Sequence, residues 1–208
     1  MLATLTDAPF DDPDWVFEDK LDGFRMVAEI RRGRVAPYSR NGKIISHSYV
    51  EVAKALEGVK PDAVIDGELV AIGKDGSFHF QLLQNALRHE AKLLTAFDLM
   101  FADGEDLRAL PLLERKKRLK AIMPRHKLIA FSNHRKGSGT KFFAEAEQRH
   151  LEGIMAKRGQ PVCIRTPDRR LAEGEDRAAA GGRDRRVHGA QTNPAFLRRA
   201  CAGGTRTG

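Results

Sequence analysis

Glu18-Asp19-Lys20-Leu21-Asp22-Gly23-Phe24-Arg25 sets a lysine two residues before an Asp-Gly pair and an arginine two residues after it. The apolar flanks, Trp15-Val16-Phe17 on one side and residues 24–30 on the other, predict two strands with a tight turn between them. Lys20 then stands at a strand end, where a side chain can be held over a pocket. An amine is a nucleophile only without its proton, so burial or a neighbouring cation must lower its pKa. Arg25 is a candidate for that cation, and a bound metal ion is a stronger one. Taken alone, the octapeptide equally describes two ordinary surface residues on a hairpin. The rest of the chain decides between them.

At 208 residues the chain is long enough for one sizeable α/β domain and a small appendage. No apolar run approaches the roughly 18 residues that a membrane-spanning helix needs. The N-terminal region is acidic where a signal peptide is basic, which predicts a cytosolic protein. The net charge of +8 suggests nucleic acid, but its distribution weakens the argument. From Arg158 onward there are 11 basic and 5 acidic residues, which leaves only +2 for residues 1–157. Cys163 and Cys201 have no Cys or His partners at metal spacing, so neither a zinc site nor a disulfide framework is expected.

Past the first motif, residues 24–30 and 34–39 read as a hairpin around Arg32-Gly33, ending in the turn Ser39-Arg40-Asn41-Gly42. Residues 48–58 carry Tyr49, Val52, Ala53 and Leu56 at helical spacing. Ala63-Val64-Ile65-Asp66-Gly67-Glu68-Leu69-Val70-Ala71 is an apolar strand interrupted by two acids. Burying a carboxylate there is costly without a partner. Either both acids are solvated at a bulge, or Glu68 faces a ribose hydroxyl or a metal ion. A helix over 79–89 carries Gln81 and Gln84 near its start, and a strand over 92–97 leads into Phe97-Asp98. A lone phenylalanine on a strand is usually core. A helix opened by Pro111 follows, whose basic cluster at 115–120 reads by itself as a solvated face. A strand over 127–131, a helix over 139–150 and an alternating strand over 151–158 complete the body.

Together these segments resemble the covalent nucleotidyltransferases: ATP-dependent DNA ligases, RNA ligases and mRNA capping enzymes. Lys20-Leu21-Asp22-Gly23 is similar to their motif I, Arg40 to motif Ia, Asp66-Gly67-Glu68 to motif III, Phe97-Asp98 to motif IIIa, and Glu152-Gly153-Ile154-Met155-Ala156-Lys157 to motif IV. The opening Met1-Leu2-Ala3-Thr4-Leu5, the run Pro9-Phe10-Asp11-Asp12-Pro13-Asp14-Trp15 and Leu110-Pro111-Leu112-Leu113-Glu114-Arg115 narrow the resemblance to the bacterial ligase-D type. The resemblance implies an α+β fold, an ATP-grasp-like adenylation domain of antiparallel sheets flanked by helices, over residues 1–158. It implies that Lys20 attacks the α-phosphorus of ATP and carries AMP as a phosphoramidate. Glu18, Arg25, Arg40, Glu68, Phe97 and Lys157 are the implied nucleotide-binding residues, with Phe97 stacked on the adenine, Arg40 on an ATP or DNA phosphate, and Lys157 a phosphate contact or a structural pair. Glu68 and Glu152 are the implied ligands of Mg²⁺ (or Mn²⁺). The implied substrate is nicked double-stranded DNA, in the bacterial cytosol and nucleoid, with end-joining repair proteins as partners. An RNA ligase or capping-type enzyme on the same domain is the alternative within the family.

After Arg158 the resemblance stops. The family continues with motif V, a Trp-x-Lys-x-Lys strand, and an OB-fold domain. Here Trp15 is the only tryptophan and Lys157 the last lysine. Residues 159–208 are rich in Arg, Ala and Gly without period two or 3.6, which predicts an irregular tail. That composition is what an out-of-frame reading of GC-rich DNA produces, so a frameshift and an impaired ligase, or a catalytically dead nucleotide-binding remnant, are expected. A genuine arginine-rich tail that binds nucleic acid is the alternative.

Overall fold

A computed structural model of the chain describes residues 4–6, 8–71, 92–159 and 187–189. The strands are β1 (Thr4–Thr6), β2 (Asp11–Asp19), β3 (Phe24–Arg31), β4 (Arg34–Ser39), β5 (Ala63–Ala71), β6 (Lys92–Ala102), β7 (Glu105–Asp106), β8 (Ile129–Phe131), β9 (His134–Ser138), β10 (Ile154–Arg158) and β11 (Val187–Gly189). Among the described residues the helices are α1 (Val50–Leu56), α2 (Leu112–Ile122) and α3 (Gly139–Gln148). The expected helix over 79–89, with Gln81 and Gln84, lies outside the described residues. None of the described helices is long and apolar enough to cross a membrane.

The strands form two sheets, one in the order β1-β11-β10-β2-β9 and the other β4-β3-β5-β6-β7, with β8 added parallel to β6. Alternation explains how the second sheet is filled. Met26, Ala28 and Ile30 of β3 and Ile65 and Leu69 of β5 point into one core with Val52 and Leu56 of α1 and Leu119 of α2. The other face carries Val27, Val64 and Met100, and with them the polar residues Arg25, Asp66 and Glu68. Phe17 of β2 packs with Phe142 and Ala146 of α3 and Ile154 of β10 to fill the smaller core of the first sheet.

Asp66 pairs with Asp98 and Gly67 with Ala96, so Phe97 is the extra residue of a β-bulge, a device that re-aims a side chain. A Cβ on Gly67 would lie 2.7 Å from the Thr95 carbonyl oxygen, so only glycine allows β6 to approach this closely.

Two expectations change. The strand expected over 151–158 begins at Ile154, because Leu151 N donates to Ala146 O at 3.0 Å and closes the exit turn of α3. Within the tail expected to be irregular, Val187–Gly189 is a strand, antiparallel to β1 and parallel to β10. The open edge of β10 offers backbone groups that any extended segment can pair with. Gly159 is also in place, its N donating to Asp14 O at 3.0 Å and its O accepting from Leu112 N at 3.1 Å.

Candidate active site

Lys20 follows β2 directly, and its backbone N donates to Gly153 O at 3.0 Å. Because β2 and β10 run antiparallel, this brings the end of the first motif beside the turn that opens β10. The Lys20 ammonium forms an ion pair with Glu152. The neighbour expected for Lys20 was Arg25, but Arg25 is engaged elsewhere. Its Nε donates to Asp66 Oδ1 at 2.9 Å and its Nη2 to Asp66 Oδ2, which satisfies the buried acid of β5. Burial works against the charged guanidinium, and the Asp66 carboxylate outweighs it, so the Arg25 pKa is raised further. After Asp22, a Cβ at Gly23 would meet the Leu69 carbonyl oxygen at 2.1 Å and Glu68 Cγ at 2.9 Å. The Asp-Gly pair is therefore a close crossing of chain over the Glu68 strand rather than only a turn.

Glu68 faces Arg25 in the β3–β5 register and accepts no hydrogen bond from a described residue. Burial pushes its carboxyl up to about 7, with Arg25 pulling the other way and Asp66 and Asp22 adding to the rise. Phe97 is partly exposed, with Lys157 Nζ 4.2 Å and the Arg25 guanidinium carbon 5.6 Å from its ring centroid. Arg25, Asp66, Glu68, Phe97 and Lys157 thus lie together, and the Lys20 charge acts on Glu68. Arg40 does not join them: it is exposed on the turn after β4, without an ion pair or hydrogen bond among the described residues.

Glu18 departs from the expected nucleotide contact. It is 2% exposed, and both carboxylate oxygens are taken: Oε1 accepts from Lys116 Nζ at 2.9 Å, and Oε2 from Lys157 Nζ at 3.0 Å and Ser132 Oγ at 2.9 Å. Burial pushes the Glu18 carboxyl up, but the Lys157 and Lys116 ammoniums outweigh it and hold it below the usual carboxylate range. Lys116 Nζ also donates to Ser132 O at 2.9 Å and to Phe97 O at 3.2 Å, the carbonyl that the bulge leaves available. Arg115, next to it, makes a bidentate pair with Asp98 at 2.8 Å through both Nε and Nη2. The start of the basic cluster at 115–120, expected to be solvated, therefore lies inside, because Asp98 and Glu18 give its charges buried partners. Lys116 and Ser132 have no motif signal. Arg115 closes the Leu-Pro-Leu-x-Glu-Arg run, which marked the helix that carries it and Lys116.

Of the two carboxylates expected to hold a divalent cation, Glu68 lies near the Lys20 charge and Glu152 is ion-paired with Lys20. Among the described residues there is no group of three or more His, Cys, Asp or Glu placed to hold a metal by itself. Two carboxylates with phosphate oxygens completing the shell suit Mg²⁺, which is commonly bound through one or two carboxylates and substrate phosphates.

The model of the ATP-dependent DNA ligase domain matches residues 1–173. This chain belongs to that family. The ligase domain is 36% identical over 163 residues to the multifunctional non-homologous end joining protein LigD of Pseudomonas aeruginosa, covering 76% of this chain and 19% of that protein. It is 30% identical over 160 residues to the corresponding LigD of Mycolicibacterium smegmatis, covering 76% of this chain and 21% of the relative. The chain thus spans about a fifth of the length of these two relatives. Among solved structures it is similar to a mycobacterial DNA ligase D complexed with ATP and MES, with a TM-score of 0.72 and 27% identity over 90% of this chain and 58% of that one. The ligase domain of M. tuberculosis LigD gives a TM-score of 0.66 at 29% identity, covering 73% of this chain and 50% of that one. The α+β architecture of two sheets flanked by helices is the nucleotidyltransferase domain of these ligases.

Proposed function

We propose that the chain performs the adenylation chemistry of an ATP-dependent DNA ligase that seals nicked duplex DNA in end-joining repair. The observation that carries this reading is the position of Lys20, held at the end of β2 by Gly153 O beside the cluster of Phe97, Arg25, Asp66 and Glu68. In the first step the Lys20 nitrogen bonds to the α-phosphorus of ATP, the bond to pyrophosphate breaks, and the amine releases its proton to solvent. AMP then passes to the 5′-phosphate at a nick, and the 3′-hydroxyl displaces it to form the phosphodiester. The Lys20–Glu152 ion pair has to open before the amine can attack.

Phe97 offers its ring to the adenine, a contact worth about 1–3 kcal/mol by analogy with base stacking elsewhere. Lys157 lies over that ring and supplies positive charge near the base and its phosphates. Arg25, fixed by Asp66, holds its guanidinium in the same cluster, and Arg40 on its exposed turn is free to meet an ATP or DNA phosphate. Glu18 serves the nucleotide by holding Lys157 and Lys116 rather than by direct contact. Glu68 and Glu152 would hold Mg²⁺ (or Mn²⁺), which when bound neutralises phosphate charge. Catalysis then rests mainly on positioning and charge.

The test is transfer of the nucleotide. Protein preloaded from α-labelled ATP is chased with a nicked DNA duplex carrying either a 5′-phosphate or a 5′-hydroxyl. Label should move to the DNA only with the 5′-phosphate. Label that stays on the protein with both duplexes, or moves only to a nicked RNA duplex, contradicts the DNA-ligase reading.

A further inference from the structure

Charge is unevenly distributed over the body of the chain. Residues 115–144 contain ten Lys and Arg and no Asp or Glu, although residues 1–157 together are only +2. Several of these cations are spoken for. Arg115 and Lys116 are buried on Asp98 and Glu18, Arg118 meets Glu105 and Glu114, and Arg135 meets Glu145. Lys117 and Lys120 of α2 are exposed and form no ion pair among the described residues.

These two lysines line an open groove of about 500 Å³ between α2 and the turn joining β8 to β9, together with Lys116, Phe131, Asn133 and His134. No carboxylate lines it. Its wall is an aromatic ring with Lys116 Nζ 4.7 Å and Lys120 Nζ 5.7 Å from the centroid. Its floor, Lys116, bonds Glu18, two residues from Lys20, so the groove lies close to the proposed reaction centre without being part of the nucleotide pocket.

We propose that this groove binds the phosphodiester backbone of duplex DNA, with Lys117 and Lys120 on phosphates, Asn133 as a neutral donor and Phe131 as the apolar wall. The proposal rests on the ligase reading for its choice of polyanion, and on the groove's geometry and charge for its location. Cations facing a phosphate backbone gain by releasing condensed counterions, and a concave surface of one sign concentrates that field. Partial burial lowers the His134 pKa first, then Lys116, Lys120 and Lys157 add to the lowering, and Glu18 alone opposes them.

The test uses the full chain with Lys117→Gln and Lys120→Gln combined, and a second variant with Lys117→Glu and Lys120→Glu. Binding to a nicked duplex is measured by fluorescence anisotropy across a salt series, beside self-labelling from α-labelled ATP. Both lysines are exposed, so the fold is expected to stand. The neutral variant should bind DNA about tenfold more weakly at low salt, with a salt slope shallower by about 2, given roughly 0.9 per lost phosphate contact. The charge-reversed variant should bind more weakly still, and labelling should match the wild type. In the wild type, adding duplex should move the His134 and Phe131 ring resonances. Unchanged affinity and slope in both variants, or unmoved ring resonances, overturns the groove. Wild-type protein that binds DNA through these lysines but takes no label contradicts the adenylation reading and leaves the groove standing.

Discussion

Replacing Lys116 with methionine keeps the length of the side chain and removes the charge that meets Glu18. Glu18 keeps Lys157 and Ser132 on Oε2, but Oε1 loses its donor. An unsatisfied buried acceptor costs about 1–3 kcal/mol, and denaturant unfolding should show a loss of that size. Ser132→Ala removes one neutral donor to the same carboxylate and should cost about 1 kcal/mol. A Lys116→Met variant as stable as the wild type would mean that the Glu18 cluster does not form. The same cluster sets a pH response. The folded Glu18 carboxyl titrates below its ordinary value, so its contribution is complete above the usual glutamate range and is lost as pH falls through the folded value. Stability should therefore fall on acidification below about pH 4.5, the reference point for glutamate. Glu18→Gln should flatten that acid limb. Lys20, Glu68, Phe97 and Glu152 could be singled out as candidates in the sequence because each sits in a short run whose residue types match a motif. The partners of Glu18 were not, since Lys116 is 98 residues away and Lys157 139 residues away. No local pattern encodes such a meeting.

Among the elements, the β5–β6 bulge controls how Phe97 is presented. Gly67→Ala would drive a Cβ against the Thr95 carbonyl oxygen and the Leu94 side chain, and backbone cannot yield cheaply there. Overpacking of this kind costs about 1–3 kcal/mol. Because Phe97 is the bulged residue, the variant should also need more ATP for half-maximal labelling at a temperature where it stays folded. A lowered melting temperature with unchanged ATP dependence would separate the bulge from the nucleotide pocket. Phe97→Ala keeps the backbone and removes the ring, so its loss should appear in ATP affinity, about 1–3 kcal/mol if the ring stacks on the base. The apolar run of β5 and the turn-bounded run of β3 were enough to identify these strands. A bulge with solvated acids was one reading of Asp66-Gly67-Glu68. The bulge is there, but its extra residue is Phe97 on the opposite strand, and Asp66 is buried on Arg25. Helix α2 shows the opposite failure. Its first two basic residues are individually ordinary on a surface helix, and only Asp98 and Glu18, reached from other strands, draw them inside.

Among the described residues, polar contacts join the two sheets. Glu18 of the first sheet is bonded to Lys116 on the helix covering the second, and Lys157 of the first lies over Phe97 of the second. Charge partners therefore hold this seam closed beside Lys20. The central claim is that Lys20 at this seam takes AMP from ATP. Its most direct measurement is incubation of the purified chain with α-labelled ATP and Mg²⁺ or Mn²⁺, followed by denaturation without acid and detection of protein-bound label. Wild-type protein should retain label and Lys20→Ala should carry none. Folded wild-type protein without label, or label that persists in Lys20→Ala, would contradict the claim.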